Sequence, residues 1–105
     1  VINPAIVESQ VQGAFLFGLD AALWGEITVR EGRVVQGNFD TQPVLRLDQA
    51  PPVRASIVPS DGPVGGVGEL ATAIAAPALA NAIFAATGRR LRALPVSRAG
   101  FTLAT

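Results

Sequence analysis

Apolar residues recur every four positions near the start of the chain, at Val7, Val11, Phe15, Leu19 and Leu23. That spacing lays them along one face of a helix running from Ala5 to about Leu23. Asn3-Pro4 reads as its start, because Asn suits an N-cap and Pro is tolerated at the first helical position. Gly25 is placed to cap its end. Gly13 and Gly18 interrupt the pattern, and each costs about 1 kcal/mol relative to Ala in a helix interior. Close packing against another element is the simplest reason to keep them.

The period then changes. Glu26 to Arg30 and Arg33 to Asn38 read as two strands joined by Glu31-Gly32, a two-residue turn suited to a tight hairpin. Ile27, Val29 and Val34 would share a face, and Arg30 would stand opposite Arg33. Prolines 43, 51 and 52 limit regular structure from Phe39 to Pro52. Val53 to Val58 alternates like a third strand. Pro59 to Gly68 is a Gly- and Pro-rich loop. An Ala-rich helix follows, from roughly Ala73 to Thr87, closed by Gly88 and Arg89-Arg90. Pro77 implies either a start near Ala76 or a kink. The tail from Leu91 would add a short strand. The resulting class is α+β, with two helices and a small, mostly antiparallel sheet. Both helices carry small-residue faces suited to packing against further protein.

Composition narrows the chemistry. The chain has no Cys, His, Lys, Tyr or Met. A disulfide, a cysteine-ligated iron–sulfur cluster, a Ser–His–Asp triad and a lysine Schiff base are all excluded within it. An ordinary zinc site lacks its ligands, so no metal-binding residue is assigned. Eight arginines balance eight acids, so broad attraction to nucleic acid is not expected. The longest apolar stretch, Leu70 to Ala80, contains Thr72 and Pro77 and is too short for a membrane span. Proton transfer falls to eight carboxylates: Glu8, Asp20, Glu26, Glu31, Asp40, Asp48, Asp61 and Glu69.

The stretch Gly62-Pro63-Val64-Gly65-Gly66-Val67-Gly68-Glu69 is the most unusual one. Its glycines remove the Cβ atoms that hold a ligand away from the backbone. A nearby helix start supplies free N–H groups and a positive dipole end. The spacing is not that of a dinucleotide fingerprint, and a Walker loop needs a lysine. Two readings remain from spacing alone. One is a plain strand-to-helix turn with Glu69 as a favourable first-turn charge. The other is a cofactor-facing loop carrying a catalytic carboxylate. Asp61 reads as a turn residue, Arg89, Arg90 and Arg92 as a solvated cationic helix end, and Trp24 and the five Phe as packing.

Several motifs occur in order along the chain. They are Asn3-Pro4, Gln10-Val11-Gln12-Gly13-Ala14, Gly25-Glu26-Ile27-Thr28 and Gly65-Gly66-Val67-Gly68-Glu69, with Pro43-Val44-Leu45-Arg46 and Ala80 to Gly88 between and beyond. Together they resemble the molybdopterin-binding large subunit of the xanthine oxidase/aldehyde oxidase family, most closely the isoquinoline oxidoreductase branch. The resemblance implies that residues 1–105 form the C-terminal part of a molybdopterin-binding domain. It implies an enzyme that oxidises aldehydes or N-heteroaromatic carbons with water as oxygen source, and Glu69 as its general base. It places Gln10, Gly65, Gly66 and Gly68 beside the cofactor. That cofactor would be molybdenum–molybdopterin in its cytosine dinucleotide form, held mainly by the rest of the subunit. Iron–sulfur clusters would sit in a small partner subunit, and this chain alone would be inactive. In one respect the sequence departs from the family. Leu70-Ala71-Thr72-Ala73 follows Glu69 where members usually carry prolines, so the backbone there is expected to differ. The competing reading is a non-catalytic module that packs against a partner subunit.

Overall fold

A computed structural model describes residues 1–63 and 65–102. Helix α1 spans Pro4–Trp24. The Asn3 side chain accepts hydrogen bonds from the backbone N–H groups of Ala5 (3.1 Å) and Ile6 (3.3 Å), satisfying two donors that the first helical turn leaves unpaired. Gly25 closes the helix by donating to the Ala21 carbonyl. A two-stranded antiparallel sheet follows, β1 (Val29–Arg30) and β2 (Arg33–Val34), with Val29 opposite Val34 and Arg30 opposite Arg33. Glu31 and Gly32 both adopt positive φ in the turn, as a tight hairpin of this length demands. Helix α2 spans Leu70–Thr87 and ends on Gly88 in the left-handed conformation. A short 3₁₀ helix, Val96–Ala99, completes the regular structure.

The α+β class and the hairpin agree with the sequence reading, and several boundaries do not. The strands expected over Glu26–Arg30 and Arg33–Asn38 shrink to two residues each, because Gln36 turns back on the hairpin. Its side chain accepts from the Thr28 N–H (2.8 Å) and donates to the Thr28 hydroxyl (3.2 Å). Val53–Val58 forms no strand. It has no regular structure, and its Val53 carbonyl accepts from Gln12 of α1 (3.1 Å). Helix α2 begins at Leu70 and runs through Pro77. The tail from Leu91 forms the 3₁₀ helix where a strand was expected, and residues 103–105 lie outside the described residues.

The two helices pack against each other over Leu19, Leu23 and Ala75, with Phe15, Leu16, Trp24, Leu45 and Leu79 around them. Gly18 sets their separation. A Cβ built there would lie 2.3 Å from the Thr72 backbone oxygen and 2.9 Å from the Ala75 Cβ. Gly13 differs, since a Cβ there meets nothing within 4 Å. The packing reason holds for Gly18 and fails for Gly13. Asp20 accepts from the Leu45 N–H, and Arg98 pairs through two guanidinium nitrogens with Glu26, so the irregular segments are tied back to α1 and to the hairpin.

This interior is small. The buried apolar residues are Leu19, Leu23, Val96 and four alanines. Among the aromatic residues, Phe15 and Trp24 pack on the core, whereas Phe17 and Phe39 are more than 70% exposed. The radius of gyration is 16.3 Å, against about 13 Å for a compact domain of this length. Helix α2 also carries no charged residue over its 18 residues, and by length and composition alone it could cross a membrane. That corrects the length argument made from Leu70–Ala80. One such helix is weak evidence of a span, because the core helix of a soluble protein passes the same test.

Gly18 and Gly13 give opposite stability predictions. Gly18→Ala should lower unfolding free energy by about 1–3 kcal/mol, because the clash with backbone exceeds the gain in helix propensity. Gly13→Ala should raise it by up to about 1 kcal/mol. Denaturant titration of both variants checks the pair, and stabilisation by Gly18→Ala would contradict the packing account.

Candidate functional site

Glu69 occupies the N-cap position of α2, with φ −119° and ψ −10°. A carboxylate there lies at the positive end of the helix dipole. Its side chain makes no capping hydrogen bond, and the residue is exposed. Its backbone carbonyl accepts from the Thr72 N–H (3.0 Å). The carboxylate is therefore held at the head of a helix while its oxygens stay free for another partner.

Beside it lies an open cleft of about 600 Å³, lined by Gly13, Ala14, Phe17, Gly68, Glu69, Thr72 and Ala73. One wall is α1 and the other is the start of α2. The structure thus brings Gly68 and Glu69 together with Gly13, a residue the sequence reading explained by packing. Gln10, Gly65 and Gly66 do not line the cleft. Gln10 is exposed on α1, three and four residues before Gly13 and Ala14, which places it on the same face one turn away. Gly65 and Gly66 lie in the exposed loop leading to Gly68.

The glycines bear directly on the choice between a plain turn and a ligand-facing loop. Among the described residues, positive φ occurs at Glu31, Gly32, Gly88 and Gly100, and at none of Gly13, Gly65, Gly66 or Gly68. A Cβ added at any of these four meets nothing within 4 Å. The two that line the cleft, Gly13 and Gly68, leave its walls bare of side chains on either side of Glu69, which permits close approach of a ligand. Among the described residues no three acids gather as a metal site.

Besides Gly13, sequence reasoning missed Ala14, Phe17, Thr72 and Ala73 as cleft residues. Phe17 was legible in principle, since it falls one turn after Gly13 on the same helix face. Thr72 was not, because its place depends on how α2 crosses α1.

Residues 1–51 match the family model described as the molybdopterin cofactor-binding domain. Over 91% of its length the chain is 36% identical to isoquinoline 1-oxidoreductase subunit beta of Brevundimonas diminuta. The chain belongs to this molybdopterin-binding family. It is also 36% identical, over 91% of its length, to the membrane-bound aldehyde dehydrogenase (pyrroloquinoline-quinone) of Gluconacetobacter polyoxogenes. Its identity to the aldehyde oxidoreductase molybdenum-binding subunit PaoC of Escherichia coli K12 is 33%, over 92% of the chain. The chain spans 12% of the length of the first two relatives and 14% of the third. No solved structure shows a significant match to it. The family match covers α1, the hairpin and the segment up to Pro51. Glu69 lies beyond it, within the stretch covered by the pairwise similarities.

An exposed carboxylate that makes no capping hydrogen bond contributes little to folding. Glu69→Gln should change unfolding free energy by less than about 0.5 kcal/mol. A loss well above that in thermal or denaturant unfolding would assign Glu69 a structural role.

Proposed function

We propose that this chain forms part of a molybdenum hydroxylase that oxidises aldehydes or N-heteroaromatic carbons, with Glu69 as general base. The observation that carries the reading is the cleft itself. It sets Glu69, whose side chain makes no capping bond, beside Gly13 and Gly68, where an added Cβ would meet nothing within 4 Å. The molybdopterin family match on α1, which forms the opposite wall, supports the same reading.

Gly68 and Gly13 would form the near surface against the cofactor, with Gly65 and Gly66 along the approaching loop and Gln10 one turn further along α1. A Gln amide both donates and accepts, which suits the mixed edge of a pterin ring. When bound, molybdenum–molybdopterin, in its cytosine dinucleotide form, supplies a two-electron acceptor for the substrate carbon. Glu69 accepts a proton from the water-derived oxygen as that oxygen bonds to the carbon. For an aldehyde the sum is RCHO + H₂O → RCOOH + 2H⁺ + 2e⁻. Iron–sulfur clusters of a small partner subunit would take up these electrons, since this chain has no cysteine to hold such clusters. Residues 1–105 act as the C-terminal part of the cofactor-binding domain, and the cofactor is held mostly by the remaining polypeptide, so the chain alone turns over no substrate.

A second reading, a non-catalytic module packed on a partner, draws on the exposed apolar surface, including Leu47 at 94%, Phe17 at 71% and Leu70 at 68%. The two readings separate in one experiment on the intact assembly. Glu69→Gln should lower turnover by about 10²–10⁴-fold, the usual contribution of a placed general base, and leave molybdenum and pterin content unchanged. Full activity in that variant would remove Glu69 from the chemistry. Absence of molybdenum and pterin from the unmodified assembly would favour the non-catalytic module.

A further inference from the structure

We propose that Thr72 is the positioning residue that aims Glu69, an inference that rests on the role assigned to Glu69 above. Three hydroxyl side chains lie in the two helices. Ser9 donates to the Ala5 carbonyl (2.9 Å) and Thr87 to the Ile83 carbonyl (2.7 Å), each one turn back in its own helix. That local bond is the ordinary choice for a helical hydroxyl. Thr72 differs. Its hydroxyl donates across the helix–helix interface to the Ala14 carbonyl of α1 (3.0 Å), a half-buried contact between residues 58 positions apart.

The geometry around this bond makes it a locator. The Thr72 backbone oxygen lies against Gly18, where even a methyl group has no room. Thr72 is thus fixed to α1 at two points one turn apart, by its hydroxyl at Ala14 and by its carbonyl at Gly18. Its N–H donates to the Glu69 carbonyl (3.0 Å), which closes the first turn of α2. Glu69 stands three residues before Thr72 and lines the same cleft wall. Ala14, the acceptor, adjoins Gly13 on the facing wall. With Gly18 setting how close the helices come, this hydroxyl ties the two walls together beside the carboxylate. In this chain the helix starts at once, and the cross-link at Thr72 supplies the rigidity.

The test uses the intact assembly and two variants. Thr72→Val keeps the shape and removes the hydroxyl, and Thr72→Ser keeps the hydroxyl. A misplacement near 1 Å at a reacting group can cost about 10²-fold in rate. Thr72→Val should lower kcat by at least about tenfold, with KM and molybdenum content unchanged. It should also speed hydrogen exchange at the Ala71 to Ala73 amides. Thr72→Ser should restore kcat and exchange protection together. Wild-type kcat in Thr72→Val, or equal loss in both variants, would overturn the positioning role. Glu69→Gln is measured alongside. If that variant stays active, the general-base reading fails and this inference with it. If it is inactive while Thr72→Val is not, only the inference about Thr72 is lost.

Discussion

The contact between Gly18 of α1 and Thr72 of α2 governs the rest of the structure. A glycine in the middle of a helix costs about 1 kcal/mol in propensity, and here it lets two backbones meet where a Cβ would lie 2.3 Å from a carbonyl oxygen. Close approach at that point lets Ala75 become fully buried between Leu19 and Leu23. It also carries the first turn of α2, with Glu69 at its head, to a fixed place beside Gly13. The same packing therefore builds the core and one wall of the cleft.

That core is made largely of alanine, which buries little apolar area per residue. At about 25 cal/mol per Å² of apolar surface removed from water, so small an interior offers limited stabilisation. Large side chains that could have contributed, such as Phe17, Phe39 and Leu47, face outward. Small side chains lie inside and large ones outside, and the chain spans 12% of the length of its first relatives. Helix α2 is apolar on the side away from α1 as well, where Leu70 and Ile74 are exposed.

Local chemistry was legible in the sequence, and long-range geometry was not. Asn3 and Gly25 could be read as caps because capping depends on one residue and its immediate neighbours. Glu31-Gly32 could be read as a hairpin turn for the same reason. Val53–Val58 was misread because alternation describes a strand only when a partner strand exists, and its one long-range bond to α1 comes from a side chain, Gln12. The start of α2 was placed late because Pro77 dominates a local reading, yet the helix continues through it. Glycine spacing alone left a simple turn open at Glu69, and only the resemblance gave that residue a role. The open space at Gly13, Gly65, Gly66 and Gly68 is the structural fact that spacing could not supply.

Anomalous diffraction at the molybdenum edge, from crystals of the intact assembly, would locate the metal relative to this cleft. If Glu69 is the general base, the metal lies between Gly13 and Glu69, close enough for the carboxylate to reach a proton on the reacting oxygen. A metal peak on the far side of α1, or a Glu69 side chain surrounded by bulk water and remote from the pterin, would contradict it.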